Sequence, residues 1–253
     1  MIVDHLRSVV AATTIEELWA LHTRKMEEYG FDRLLYGLTH FKTHRSLGDP
    51  EDVRLLSSHD EAYTRGFVDQ RLFENAPMVQ WAAENEGHCS WKLMQDAYRS
   101  GALSAAERRV VEFNRERGVV AGYTISFRQI SVRCKGAIGL SASPGTTQDD
   151  VDAVWALHGA DIMLMNEVMH LKILDLPSGD SRRLLTPRQC EVLEWVGDGK
   201  TTQDIATILG VSPATVEKHL RLARQALGVE TTAQAVLKAW FQKQIFVVPP
   251  RKS

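Results

Sequence analysis

The sequence predicts an α+β chain in two parts, a larger mixed α/β unit followed by a smaller all-helical one, and three observations predict it. Apolar residues repeat at helical spacing near both ends of the first part, while stretches between them alternate like strands. The polar run "LPSGDSRR", with Pro177, Gly179 and two serines, interrupts the pattern as a linker would. Beyond it the spacing is helical throughout and the charge changes sign. From Ser181 onward 11 Lys and Arg stand against 6 Asp and Glu, a net +5, which leaves −7 of the total −2 to the rest. The expected division is residues 1–175, a linker at 176–183, and residues 184–253.

Each element has a local reason. Thr14 opens a helix whose apolar positions Ile15, Leu18, Leu21 or His22, and Met26 recur every three to four residues until Tyr29-Gly30 stops it. Phe31 to Lys42 is rich in β-formers and reads as a strand, followed by a loop around Gly48-Asp49-Pro50. A charged helix spans Ser104 to Arg117. "GYTISFRQISVRCKGAIGLSAS" alternates Tyr123, Ile125 and Phe127 on one face, resumes with Ile130 and Val132, then with Ile138, Leu140 and Ala142, predicting two or three antiparallel strands. After Pro144-Gly145 a long helix starts at a cap on Thr146 or Thr147. It carries a stripe of Val151, Val154, Leu157, Met165, Met169 and Ile173 and ends before Pro177.

With 253 residues, 44% hydrophobic and 25% charged, the chain has material for a sizeable core. It lacks both a span of about 18 apolar residues and an N-terminal signal pattern, so a cytoplasmic protein without membrane partners is expected. Cys89, Cys134 and Cys190 form no CxxC pair, so neither metal nor cofactor is expected and the thiols read as reduced and mostly buried. No nucleophile and base pair or phosphate loop suggests an enzyme.

The C-terminal part is the most densely patterned. Thr186-Pro187 caps one helix, with Val192, Leu193 and Val196 on its buried face, and Gly199 ends it. "GKTTQDIATILGVSPATVEKHL" is then a short helix around Gln203 to Leu209, a hinge at Gly210-Val211-Ser212, and a third helix begun by Ser212-Pro213. On that helix Val216, Leu220, Ala223 and Leu227 share one side, and Glu217, Lys218, Arg221 and Gln225 the other. A helix, a tight turn and a second helix with a polar outer face suit the DNA major groove, which admits one α-helix and exposes base edges to its side chains. A merely solvated charged face is the plainer reading of any single helix; the hinge and the basic excess favour double-stranded DNA as partner.

"LLTPRQCEVLEWVGDGKTTQDIATILGVSPATVEKHLRLARQALGV" resembles the LuxR-type helix-turn-helix throughout. The resemblance implies that Lys200, Thr201, Thr215 and His219 touch the DNA backbone, that Glu217, Lys218 and Arg221 face bases, and that Arg224 lies near phosphate. Two departures are Gln189, where the family usually has glutamate, and "ETTAQA", where a basic residue commonly precedes Gln-Ala.

Residues Tyr63 to Gly139 resemble the acyl-homoserine-lactone-binding domain of quorum-sensing LuxR proteins, carried by Pro77, Trp91, Gly118 and Gly122 before "YTISF". That resemblance implies an α/β/α sandwich with a closed ligand cavity. It places Tyr63, Phe67, Ala76, Trp91 and Gly139 at ligand-binding positions. It also exposes departures: Ala76 stands where the family has an aspartate that accepts the ligand amide N–H, Tyr63 and Phe67 where it has a tryptophan and a tyrosine, and Gly139 where a small hydroxyl residue is common. Ordinary acyl-homoserine lactones are therefore expected to bind poorly. Aromatics also fill cores, which is the preferred reading of Trp81, and His59 reads as a surface or core histidine one turn before Tyr63. The expected protein is a homodimeric transcription regulator that senses a small molecule of another class. A ligand-independent regulator and a partner-binding module acting by heterodimerisation remain open alternatives.

Overall fold

The computed structural model describes residues 2–42, 52–129, 131–176 and 185–247. The chain separates into two compact units, Met1–Leu174 and Asp175–Ser253. The linker expected at 176–183, the loop at Gly48-Asp49-Pro50 and Ile130 fall almost wholly outside the described residues.

The first unit runs α1 (Ile2–Ala11), α2 (Ile15–Glu27), β1 (Phe31–Thr39), β2 (Arg54–Ser57), α3 (Glu61–Asp69), a 3₁₀ turn (Leu72–Asn75), α4 (Pro77–Glu84), β3 (Gly87–Ser90), α5 (Lys92–Ser100), α6 (Ala105–Glu116), β4 (Gly122–Ser126), β5 (Lys135–Ala142) and α7 (Gln148–Asp175). The five strands pair antiparallel in the order β2-β1-β5-β4-β3.

Alternation along the strands divides the sheet into two faces. Leu34, Tyr36 and Leu38 of β1, Ile125 of β4, and Ile138 and Leu140 of β5 are all at most 2% exposed. This face meets α7: the Tyr36 hydroxyl lies 2.8 Å from His170 Nδ1, Tyr123 stacks on Trp155 with centroids 3.9 Å apart, and Phe127 stacks on His170 at 4.1 Å. A Cβ on Gly136 would lie 2.5 Å from His170 Cε1, so only glycine admits that ring. Helix α2, capped by Thr14, joins the same layer through His22, which is fully buried with Nε2 3.0 Å from Asn166 Oδ1 of α7. Because Asn166 Nδ2 donates to Ile162 O, its Oδ1 is the acceptor and His22 carries its proton on Nε2. Burial lowers the His22 pKa to about 4, keeping the ring neutral.

Three sequence expectations change. The strand from Phe31 ends at Thr39, short of Lys42. The segment around Val132 is a turn with that side chain 86% exposed, because the two flanking strands need a connection there. On α7 the buried line runs Val151, Trp155, Ile162, Asn166, Met169 and Ile173, while Leu157 is 80% exposed. The large aromatic Trp155 takes the sheet-facing position that fixes the phase of the helix, and Leu157 falls on the opposite side. Of the thiols only Cys134 is buried; Cys89 and Cys190 are half-buried, and all three are free. Strands β2 and β3 and helices α1, α3, α4 and α5 have no counterpart in the sequence reading, nor does a helix over Thr232–Phe241.

The second unit contains α8 (Pro187–Gly197), α9 (Thr202–Leu209), α10 (Pro213–Leu227) and α11 (Thr232–Phe241). Its core joins Val192, Leu193, Ile205, Val216, Leu220 and Leu227.

Candidate functional site

In the second unit each helix is capped from its own sequence. Thr186, Thr201 and Thr231 form reciprocal boxes with Gln189, Asp204 and Gln234, and Ser212 accepts from Thr215 N. Gln189 thus fills the third helical position that a glutamate would fill, and the departure from the family pattern leaves the cap intact. Gly210, at φ 64°, ends α9 in the left-handed region and lets the chain turn into α10. Arg188 reinforces the hinge by donating to Leu209 O at 3.3 Å.

This geometry sends Val216, Leu220 and Ala223 into the core and leaves Glu217, Lys218, Arg221 and Gln225 exposed. Thr215, His219 and Arg224 are half-buried beside them, and Lys200 and Thr201 are exposed at the start of α9. All eight residues assigned by resemblance thus belong to one helix-turn-helix, but several already have partners within it, Thr215 Oγ1 lying 2.9 Å from Ser212 Oγ. The Thr201 side chain caps α9 and holds Asp204, whose carboxyl pKa is lowered by that hydrogen bond. Arg224 donates to Thr232 Oγ1 at 2.8 Å, tying α10 to α11. Sequence reading missed Thr202, whose hydroxyl donates to Glu217 Oε1 at 2.9 Å; only the tertiary approach of α9 to α10 reveals that pair.

In the first unit the other candidates gather on the sheet face opposite α7. Tyr63, Phe67, Ala76 and Trp91 belong to one buried cluster under α3 to α6, together with Met94 and Phe113. Gly139 borders it, since a Cβ there would lie 3.7 Å from Trp91 Cζ2. Trp91 can lie flat on the strands because Gly122 is bare: a Cβ on it would meet Leu140 O at 2.1 Å and Trp91 Cζ3 at 3.0 Å.

The polar atoms of this cluster have partners inside the protein. Trp91 Nε1 donates to Thr124 Oγ1 at 2.9 Å, and the Tyr63 hydroxyl donates to Asn114 Oδ1 at 3.0 Å. His59 stacks on Tyr63, centroids 4.1 Å apart and 16° from parallel, and burial lowers its pKa to about 4, so it belongs to the aromatic layer. Burial also raises the Tyr63 pKa. Ala76, 5% exposed, presents a methyl group just before Pro77 opens α4. Trp81 is half-buried outside this cluster. Thr124 and Asn114 were not singled out from sequence. The strand alternation that points Tyr123 and Ile125 toward α7 would have placed Thr124 on this face; Asn114 carries no comparable signal.

Fold and sites together define a two-part regulator, a helix-turn-helix unit preceded by an α/β/α domain with a buried aromatic cluster. Residues 14–173 match the autoinducer binding domain, and residues 183–239 match the bacterial regulatory proteins of the luxR family. The chain belongs to this family of transcriptional regulators. It is 24% identical over 241 residues to the transcriptional activator protein AnoR of Acinetobacter nosocomialis, covering 93% of this chain and 95% of that one. It is 34% identical over 136 residues to the quorum sensing-dependent transcriptional regulator RpaR of Rhodopseudomonas palustris, covering 53% and 52%. Among solved structures, Escherichia coli SdiA shares the fold at a TM-score of 0.51 and 18% identity, over 97% of this chain and 98% of that one. Among the described residues no helix is long and apolar enough to cross a membrane.

Proposed function

We propose that the chain is a cytoplasmic, non-enzymatic transcription regulator that binds DNA as a homodimer and responds to a small neutral molecule other than an ordinary acyl-homoserine lactone. In this reading residues 1–175 sense and dimerise, 176–183 link, and 184–253 bind DNA. Lys200, Thr201, Thr215, His219 and Arg224 serve the DNA backbone, and Glu217, Lys218 and Arg221 serve bases. Tyr63, Phe67, Ala76, Trp91 and Gly139 line the ligand site.

Ala76 carries the ligand reading. An amide N–H brought against a buried methyl group loses its water partner and gains none, at about 1–3 kcal/mol. The internal partners of Trp91 Nε1 and Tyr63 Oη add to this, since a ligand carbonyl must compete with Thr124 or Asn114 for either donor. Homodimerisation is supported by α7, where Leu157, Leu164 and Leu171 recur every seven residues at 80%, 44% and 61% exposure, a line suited to a symmetric helix contact. The satisfied donors also favour a second reading, in which no ligand is needed.

Extraction of the purified protein followed by mass spectrometry tests both. A stoichiometric small molecule without an amide supports the first reading, and an empty, DNA-competent protein supports the second. Strong, saturable thermal stabilisation of the wild type by acyl-homoserine lactones would overturn the altered ligand class. Sedimentation should show a dimer at micromolar concentration, and a strictly monomeric chain with tight site binding would overturn the assembly.

A further inference from the structure

Glutamate is an unfavourable side chain to place on a surface that approaches phosphates, because it is repelled by every DNA sequence alike. Glu217 nevertheless stands exposed in the N-terminal half of α10, the part of such a helix that reaches base edges. Four residues on, Arg221 is placed to neutralise it, as Glu and Arg at this spacing commonly do on a helix. They do not pair: among the described residues Arg221 reaches Gln225 Oε1 at 3.4 Å, and Glu217 Oε1 instead accepts the Thr202 hydroxyl at 2.9 Å. That hydroxyl is not needed for capping, since Thr201 performs that task for α9.

Resting on the reading of α10 as the base-contacting helix, we propose that Thr202 is a positioning residue for sequence recognition, holding the Glu217 carboxylate as a fixed acceptor for a cytosine amine in each half-site. In the major groove cytosine offers N4–H as a donor, and a carboxylate is its natural partner. Adenine also offers an amine, but its adjacent N7 acceptor faces the carboxylate with like charge. A free glutamate would lose side-chain entropy on meeting the base and would fold back onto Arg221; the Thr202 bond removes part of the first cost and prevents the second. Arg221 is thereby left free to donate to guanine.

The test is selection of sites from randomised duplexes by the full-length protein and by Thr202→Val, Thr202→Ser, Glu217→Ala and Arg221→Ala, with affinity for random DNA and melting temperature measured alongside. The wild type should select cytosine at one position of each half-site. Thr202→Val keeps the shape at the first helical position without the hydroxyl. It should lower the cytosine preference on the order of fivefold, the low end of one base contact. Random-DNA affinity and melting temperature should stay unchanged, and Thr202→Ser should restore the preference. Glu217→Ala should erase the preference and tighten random binding by about twofold as a repulsion is lost. An unaltered cytosine preference in Thr202→Val, or a loss in Thr202→Ser equal to that in Thr202→Val, overturns the positioning role while leaving the reading helix standing. If Glu217→Ala and Arg221→Ala both leave every selected position unchanged, the reading helix itself fails and the proposal with it.

Discussion

The helix-turn-helix unit and the aromatic cluster of the first unit hold their candidate functional residues in opposite ways. In the former, Lys218 and Arg221 stand outward from a core closed by Val216, Leu220 and Ala223, so the side chains proposed to meet DNA carry none of the packing. In the latter, Tyr63, Ala76 and Trp91 are themselves the core, between 4% and 8% exposed. If the proposed sites hold, recognition and stability are separable in one unit and inseparable in the other.

The largest expected break in this contrast is Trp91→Ala, which removes a buried indole and its bond to Thr124. It should cost about 3–5 kcal/mol of first-unit stability in denaturant titration. A loss under 1 kcal/mol would show that the cluster is not core.

Acid should act on the same unit with comparable force. His22, His59 and His170 are neutral because burial lowers each pKa to about 4 from 6.5. A depressed folded-state pKa contributes stability in full above pH 6.5, and this is lost as pH falls from 6.5 toward 4. For His22 alone the loss is on the order of 3 kcal/mol. Calorimetry resolving two transitions should show the first unit falling over that window. The second unit, which holds none of these three histidines, should move less. Equal shifts of both transitions would contradict the assignment.

Ala76→Asp sharpens the comparison by adding charge to the buried cluster. It should destabilise the ligand-free protein by about 1–3 kcal/mol, and acyl-homoserine lactones should recover part of this by donating their N–H to the new carboxylate. Thermal shift across acyl chain lengths reads both effects, and no recovery at any length would argue against a ligand facing position 76.

The smallest stability effects belong to the DNA face. Arg221→Ala and Lys218→Ala should change unfolding by no more than about 0.5 kcal/mol, yet reduce preference for the specific site. Lys200→Ala should weaken specific and random DNA alike and flatten the salt dependence by about one unit. A randomised-site assay that finds Arg221→Ala as selective as wild type would detach recognition from α10.

What could be read in advance follows from the range of the interactions. Thr186-Pro187 and Ser212-Pro213 announce their helices because a cap is made within three residues, and the periodic apolar positions of α10 pack as expected for the same reason. The ligand-site candidates came from family pattern rather than from spacing, and the structure adds Thr124 and Asn114, which pattern did not supply. The four-residue strands β2 and β3 are too short to show alternation, and they form only against partners distant in sequence.

The sequence by itself determined the two-unit order, the helices capped by Thr14, Thr186 and Ser212, and the outward polar face of α10, because each depends on residues a few positions apart. Tertiary structure decided which side of α7 is buried, since Trp155 and Leu157 are equally apolar locally and only the sheet distinguishes them. It decided that His22 meets Asn166, 144 residues away, and that Glu217 answers to Thr202 rather than to Arg221. Those contacts are set by strand order and helix approach, which bring distant residues within hydrogen-bond reach and leave no local trace in the chain.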